Sequence, residues 1–305
     1  MMKQLSISLL LWFSVVGASA QSVERLWPGD APGAMGATEQ DIPTVRIDRP
    51  APGKANGTAL IVFPGGGYEI LSYNPARQKL FDWFTDRGIT VFWLRYRLKN
   101  PKGSKYFYPA PMLDAQRAIR WVRHHATRYG IDPAKVGIIG SSAGGHLAAY
   151  TATRYDAGLV TSPDSVERQS SRPDFSIIQY PVITFVDSAY THRGARVHLL
   201  GEQMRDNDLT ARLSAERFDT TTWAGRRPGL ARPGPVFLVH GGQDTNVLPE
   251  NSLLSYMALR RAKVPVELHT FETGKHGFTL AAETPLLSAW TMLAENWLRY
   301  WKLLE

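Results

Sequence analysis

A serine flanked by small residues is the strongest chemical signal in the sequence. Positions 140–144 read Gly-Ser-Ser-Ala-Gly, a G-x-S-x-G pattern centred on Ser142, between a strand-like apolar run and a helix-like run. A sharp strand-to-helix turn of this kind exposes the central hydroxyl beside a helix N-terminus, which stabilises developing negative charge. The pattern predicts that Ser142 is a nucleophile. The alternative, a phosphate-binding turn, lacks the lysine of a P-loop and the spacing of a dinucleotide fingerprint.

A serine nucleophile needs a base, and the base needs an orienting carboxylate. His276 follows the last predicted strand, and Asp244 directly follows the strand before it, so one helix and one strand fit between them. We therefore predict a triad of Ser142, Asp244 and His276. Asp187 and Glu272 are the alternative acids. His124 and His125 are predicted to be surface or structural residues, His146 a packed or hydrogen-bonded helix residue, and His240 and His269 core residues.

A glycine-rich loop after an earlier apolar strand offers backbone donors for an oxyanion. Positions 64–68 read Pro-Gly-Gly-Gly-Tyr. Glycines let the backbone approach closely, and each well-aimed N–H group stabilises an oxyanion by about 2.7–4 kcal/mol. We predict an oxyanion hole formed by Gly66 or Gly67 together with Ala143; the alternative is a flexible turn. Tyr68 has two interpretations: contact with the acyl or alcohol part of a substrate, or packing of the loop.

The order of elements indicates how these residues meet. Apolar strands alternate with helices, which is typical of an α/β fold with a mostly parallel central sheet covered by helices on both faces. Strands are predicted at 45–47, 58–63, 89–96, 136–139, 175–178, 236–239 and 266–271, and helices at 76–87, 114–129, 145–153, 250–262 and 285–304. No linker divides 21–305, so we predict a single domain, within which 187–235 forms a cap or active-site loops.

The N-terminus has the composition of a secretion signal. Lys3 precedes an apolar run at 5–16, and Ala-Ser-Ala at 18–20 supplies small residues for cleavage. We predict a signal peptide over 1–20, cleaved near Ala20, and export to the periplasm or the medium. The alternative, a membrane anchor, is disfavoured because the run is shorter than the ~20 apolar residues of a span. No other stretch approaches that length, so no membrane span is predicted.

Composition excludes several classes of function. The sequence has 305 residues and no cysteine, which rules out a cysteine nucleophile and thiolate metal sites. Its formal net charge is +8, but the basic residues are scattered and no nucleic-acid-binding motif is present, so no nucleic-acid partner is predicted. A denser group of arginines lies within 220–233 and fits either a solvated surface or weak attraction for an acidic polysaccharide.

Motifs along nearly the whole chain after position 20 belong to one pattern. They are Leu-Trp-Pro at 26–28, Ala-Pro-Gly at 31–33, Phe-Pro-Gly-Gly-Gly-Tyr at 63–68, Leu-Arg-Tyr-Arg-Leu at 94–98, 109–120, 140–148, Tyr-Pro-Val-Ile at 180–183, 237–241 with Asp244, and Lys-His-Gly-Phe at 275–278. With the order serine, aspartate, histidine, they resemble the acetylxylan-esterase-like carbohydrate esterases of the α/β-hydrolase fold. The resemblance implies removal of acetyl, or bulkier aromatic acyl, groups from plant cell-wall polysaccharide such as xylan, and no cofactor or metal.

Two features depart from that pattern. Pro64 stands where related lipase-like esterases carry histidine, and 220–233 is long and arginine-rich. If those arginines face the cleft, an acidic sugar such as a uronic acid is favoured as part of the substrate.

Other functions remain open at this point. A peptidase or a lipase-like hydrolase of the same fold would use the same triad, although 187–235 is too polar to suggest a lipase lid. A non-catalytic carbohydrate-binding protein is the alternative from another class, and the presence of all three triad residues argues against it. The acyl group, the sugar and the oligomeric state stay open.

Overall fold

The computed structural model describes residues 22–99, 103, 106–201 and 231–305. Its strands are β1 (Ser22–Arg25), β2 (Thr44–Asp48), β3 (Ala59–Phe63), β4 (Thr90–Arg95), β5 (Val136–Ser141), β6 (Ser176–Gln179), β7 (Val236–Gly241) and β8 (Val266–Phe271). They form one sheet in the order β1-β2-β4-β3-β5-β6-β7-β8. Six strands, from β4 to β8 in that order, run parallel, and at one edge β2 is antiparallel to both of its neighbours, β4 and β1. The predicted mostly parallel sheet is confirmed.

Helices cover both faces of this sheet. They are α1 (Pro75–Thr85), α2 (Ala110–His124), α3 (Ala126–Tyr129), α4 (Ala143–Thr151), α5 (Arg193–Leu200), α6 (Glu250–Arg261), α7 (Pro285–Ser288) and α8 (Trp290–Tyr300). In β3, Ile61 packs in the apolar cluster under α2 and α4, whereas Leu60 and Val62 pack in the cluster under α1 and α8. Successive residues of a strand face opposite sides of the sheet. Because helices bury both sides, β3 is apolar at every position.

Several elements differ from those predicted. The helix predicted at 114–129 begins earlier and is interrupted at His125, so that α3 follows as a separate turn that ends at Gly130 in a left-handed conformation (φ 65°). The helix predicted at 285–304 is two helices, α7 and α8. Strand β1 was not predicted, because its four residues, Ser-Val-Glu-Arg, alternate in exposure and contain a single apolar side chain.

Three predictions fall wholly or partly on residues that the structure leaves undescribed. The signal peptide over 1–20 lies outside the described residues, as do 202–230 of the predicted cap and most of the arginine-rich stretch 220–233. The described part of the cap stretch carries α5. Across the described residues, no helix has the length and apolar character needed to cross a membrane.

The topology brings the predicted chemical residues to one edge of the sheet. Ser142 follows β5, Asp244 follows β7 and His276 follows β8, while the glycine loop 64–68 follows β3. These strands are parallel, so their carboxyl ends meet at the same edge, where α/β proteins form their ligand sites.

Candidate active site

The turn that carries Ser142 is shaped by backbone contacts. Ser142 has φ 58° and ψ −122°, a conformation that costs a non-glycine residue about 1–3 kcal/mol and that clusters at functional sites. A Cβ on Gly140 would overlap the carbonyl of Gly144, and a Cβ on Gly144 would overlap the carbonyl oxygens of Phe63 and Pro64. Glycine is therefore required at position 140 for the strand to meet the first turn of α4, and at position 144 for that turn to pack against the end of β3.

Ser142, His276 and Asp244 form a continuous chain of hydrogen bonds. His276 Nε2 lies 2.9 Å from Ser142 Oγ, and His276 Nδ1 lies 2.6 Å from Asp244 Oδ2. A carboxylate only accepts, so Nδ1 carries the proton and donates a hydrogen bond to Asp244. In the neutral ring, Nε2 then accepts the hydrogen bond of the Ser142 hydroxyl. This is the tautomer that a general base for the serine needs.

Asp244 is held by the loop that follows β7. It is 2% exposed, and its Oδ1 accepts the N–H groups of Asn246 and Val247 at 3.0 and 2.9 Å. Burial alone would raise its pKa, but hydrogen bonds from His240, His276 and the Val247 N–H outweigh burial and hold the pKa of Asp244 well below its usual range. Asp244 is therefore an ionised carboxylate near neutral pH and can accept the hydrogen bond of His276 Nδ1.

The alternative acids lie elsewhere. The carboxylate of Asp187 accepts the N–H of Ala189 at 2.9 Å, within its own turn. His276 Nδ1 points at Asp244 rather than at Asp187 or Glu272. The geometry thus brings together the three residues of the predicted triad, and it leaves both alternative acids outside it.

The glycine loop after β3 turns its carbonyls inward. Gly65 O accepts the N–H of Ser72 at 2.9 Å, and Gly66 O accepts those of Glu69 and Ile70 at 3.0 and 3.1 Å. In a trans peptide the N–H points opposite to the C=O, so the N–H groups of Gly66 and Gly67 point out of the loop.

The glycine loop packs against the candidate nucleophile. A Cβ built on Gly65 would lie 3.1 Å from Ser142 Cβ, so the loop packs directly against the serine. Ala143 begins α4, where the first N–H groups of a helix have no partner within the helix. The arrangement suits the predicted oxyanion donors Gly66, Gly67 and Ala143, whose role stays a prediction.

Helix α5 reaches this loop through a histidine that the sequence analysis did not single out. His198 Nδ1 lies 2.9 Å from Gly67 O, and because a carbonyl only accepts, Nδ1 is the donor. At the start of the same helix, His192 Nδ1 accepts the N–H of Ala195 at 3.0 Å. The pKa of His192 is lowered, mainly by burial and also by the nearby His276 and His198. The described part of the predicted cap therefore borders the site.

The Tyr68 side chain packs inside the protein. It is fully buried, its hydroxyl lies 2.8 Å from His146 Nδ1, and its ring meets Tyr96 edge to face. Burial raises the pKa of Tyr68 well above its usual value, so the hydroxyl stays protonated in its hydrogen bond with His146. This placement favours the packing interpretation and gives no support to the predicted substrate contact. His146 itself is buried on α4, as expected.

Two buried residues outside the triad contact the residues around it. Arg77 donates to Ser141 Oγ at 2.9 Å and to Ser72 Oγ at 3.2 Å, which ties the glycine loop to the strand of the nucleophile. Tyr180, at the end of β6, has φ 34° and packs its ring edge to face against His276, with 5.1 Å between ring centroids. Neither residue was predicted, since such contacts between elements leave no local pattern.

The sheet order and the strand-to-helix turn at Ser142 together define an α/β-hydrolase fold. The BD-FAE family pattern matches residues 46–259, which include Ser142 and Asp244. The chain belongs to the BD-FAE family of α/β-hydrolase esterases, and the fold and family expected from the sequence motifs are confirmed.

Two curated relatives share about a third of their aligned residues with the chain. Endo-1,4-beta-xylanase B of Butyrivibrio fibrisolvens is 32% identical over 76% of the chain, and an acetylxylan esterase of Xylanibacter ruminicola is 32% identical over 74% of it. The chain spans only 34% and 42% of the length of these two proteins.

The matches to two solved structures extend over nearly the whole length of each structure. The acetyl ester-xyloside bifunctional hydrolase of Caldicellulosiruptor lactoaceticus is 35% identical with a TM-score of 0.79, and the match covers 93% of the chain and 97% of that structure. The apo form of Thermogutta terrifontis esterase 2 is 25% identical with a TM-score of 0.69, and covers 94% and 97%.

Proposed function

We propose that this protein is a serine hydrolase that removes acyl groups, acetyl above all, from esterified plant cell-wall polysaccharide such as xylan. The observation that carries the proposal is the unbroken hydrogen-bond chain from Ser142 Oγ through His276 to Asp244. The choice of acetyl and xylan is supported by the names of the relatives, an acetylxylan esterase, a xylanase and an acetyl ester-xyloside hydrolase.

The reaction begins with attack of Ser142 Oγ on the ester carbonyl. His276 Nε2 takes the hydroxyl proton as the new C–O bond forms, and Asp244 stabilises the imidazolium. The carbonyl oxygen becomes an oxyanion, which the N–H groups of Ala143 and of Gly66 or Gly67 receive. The tetrahedral intermediate then collapses, the sugar oxygen leaves with the proton from His276, and an acyl-enzyme remains.

Water completes the cycle by the same steps. His276 takes a proton from water, the hydroxide adds to the acyl carbon, and the oxyanion returns to the same donors. Collapse breaks the bond to Ser142 Oγ, which regains its proton from the imidazolium, and the carboxylic acid departs. The side chain of His276 is 19% exposed, so water and substrate reach it.

The test is acid release from p-nitrophenyl acetate and from acetylated xylan, with wild type beside Ser142→Ala. We expect acetate from both substrates with wild type and a loss of at least about 10³-fold with the variant. Ser165→Ala is the matched control, because Ser165 Oγ lies on the surface, 3.2 Å from His124. Cleavage of the small ester alone would leave the triad standing and remove the polysaccharide assignment. Full activity of Ser142→Ala would remove both.

We also propose that the protein is exported after cleavage near Ala20. The support is the sequence pattern of 1–20 alone. N-terminal sequencing of the protein recovered from the periplasm or the medium is the test. A start at Gln21 agrees with the proposal, and an intact N-terminus contradicts it.

A further inference from the structure

A second histidine stands behind the candidate acid. His240 is the fifth residue of β7 and is fully buried. Its Nε2 lies 2.9 Å from Val247 O and 3.3 Å from Asp244 Oδ2, and its Nδ1 lies 2.7 Å from Ser252 Oγ on α6. Asp244 Oδ2 therefore lies between two imidazole rings, one on the reactive side and one in the core.

The partners of His240 determine where its proton sits. A carbonyl and a carboxylate only accept hydrogen bonds, so Nε2 carries the hydrogen. It donates to Val247 O at 2.9 Å, and Asp244 Oδ2 lies 3.3 Å from the same nitrogen. In the neutral ring Nδ1 accepts, and the Ser252 hydroxyl, which can donate, supplies the bond. Ser252 is itself fully buried. The ring can neither turn over nor change tautomer without losing one of these contacts.

These contacts fix the loop after β7 that carries Asp244. His240 Nε2 donates to the carbonyl of Val247 and lies beside Oδ2 of Asp244, while the N–H of Val247 donates to Asp244 Oδ1 at 2.9 Å. The loop after β7 and the carboxylate of Asp244 therefore fix each other's position, and His240 connects both to the sheet. Small displacements of catalytic groups are costly in rate, so the position of Asp244 matters.

We propose that His240, locked by Ser252, is a positioning residue that aims Asp244 at His276, so that the triad works as a unit of four residues. The inference rests on the proposed function. The hydrogen bond from His240 also contributes to the low pKa of Asp244, against the effect of burial.

Three variants test the proposal by their kcat and KM on p-nitrophenyl acetate. His240→Leu removes the donor and keeps the bulk, and we expect kcat to fall about 10- to 100-fold while KM changes less than about twofold. His240→Gln can place an amide N–H at the position of Nε2 and should recover most of that loss. Ser252→Ala frees the tautomer and should lower kcat about fivefold.

The control is His269→Leu on the neighbouring strand. His269 was predicted as a core residue, but it lies half-exposed on β8, where its Nε2 contacts Glu267 at 2.6 Å. We expect its replacement to leave kcat unchanged.

A second readout separates positioning from simple loss of stability. The proton between His276 Nδ1 and Asp244 should give a downfield ¹H NMR signal in wild type, and this signal should shift or broaden in His240→Leu and Ser252→Ala but not in His269→Leu. A folded His240→Leu with wild-type kcat, or a His240→Gln no better than His240→Leu, overturns the proposal. If His240→Leu does not fold, Ser252→Ala decides: an unchanged kcat and an unchanged signal overturn it as well.

The outcomes also separate this inference from the proposed function. If wild type does not hydrolyse the ester, or Ser142→Ala remains active, the proposed function fails whatever the His240 variants do. If wild type is active and Ser142→Ala is not, an unaffected His240→Leu removes the positioning role alone.

Discussion

The two sides of the site are held in place by different forces. On the nucleophile side the position is fixed by backbone contacts. There is no room for a Cβ at Gly140 or Gly144, and Ser142 takes a left-handed conformation between them. On the acid–base side, side chains hold one another, as His276 and His240 both contact the carboxylate of Asp244.

The difference predicts how each side fails. Where two backbone segments are in contact, an added Cβ fits only if the strand or the helix moves. A substitution there therefore destabilises the fold. Hydrogen bonds between side chains can be removed one at a time, so the chemistry should fail before the fold does. Single substitutions on either side of the site test this contrast.

The largest effect is expected from Asp244→Asn. The amide cannot accept from His276 Nδ1 in the way the carboxylate does, so it favours the wrong tautomer, and kcat should fall about 10⁴-fold while the variant still folds. Steady-state kinetics and circular dichroism measure the two quantities. Asp187→Asn, at the alternative acid, is the control and should retain its activity; the reverse result would assign the acid to Asp187.

The next effect is expected from Gly144→Ala, on the nucleophile side. The added Cβ meets the carbonyls of Phe63 and Pro64, and we expect a loss of about 3 kcal/mol in the free energy of unfolding, seen in urea denaturation. Gly29→Ala is the matched control, because a Cβ at Gly29 meets nothing within 4 Å. A stable, inactive Gly144→Ala would contradict the steric account of this side.

A smaller effect is expected from His198→Ala. It removes the donor to Gly67 O at 2.9 Å, so the glycine loop loses its contact with α5, and kcat should fall about tenfold at nearly unchanged stability. His198→Asn can keep a donor near the position of Nδ1 and should restore part of the rate. Equal rates for both variants and wild type would show that the oxyanion loop does not depend on α5.

The smallest effect concerns pH. The pKa of Asp244 is lower in the folded protein than in the unfolded chain, so its contribution to stability is present above about pH 4 and is lost as the pH falls through the folded value. The stability advantage of wild type over Asp244→Asn should therefore shrink on acidification below about pH 4. Denaturation curves at several pH values measure it, and an advantage that grows on acidification would contradict the pKa direction.

The same contrast explains what the sequence could reveal. The turn at Ser142 and the glycine loop depend on residues adjacent in the chain, so small residues at fixed spacing were enough to predict them. Asp244 and His276 could be placed because each follows a strand and the strands are parallel. The mostly parallel fold followed from apolar strands alternating with helices.

What the sequence did not reveal depends on contacts between distant elements. Tyr68 looked equally suited to substrate contact and to packing, and its burial against His146 and Tyr96 is decided by how α4 and β4 approach the loop. His240 looked like an ordinary core residue, since its position beside Asp244 arises only when the loop folds back on β7. His198 lay in a stretch without strand signals.

The most direct test of the central claim is covalent labelling of the candidate nucleophile. An organophosphate such as paraoxon reacts with an activated serine, and peptide mass spectrometry locates the phosphoryl group. We predict one adduct per chain, on Ser142, formed in parallel with loss of ester hydrolysis and strongly slowed in His276→Ala. An adduct on another serine that abolishes activity, or full inactivation with Ser142 unmodified, would contradict the account.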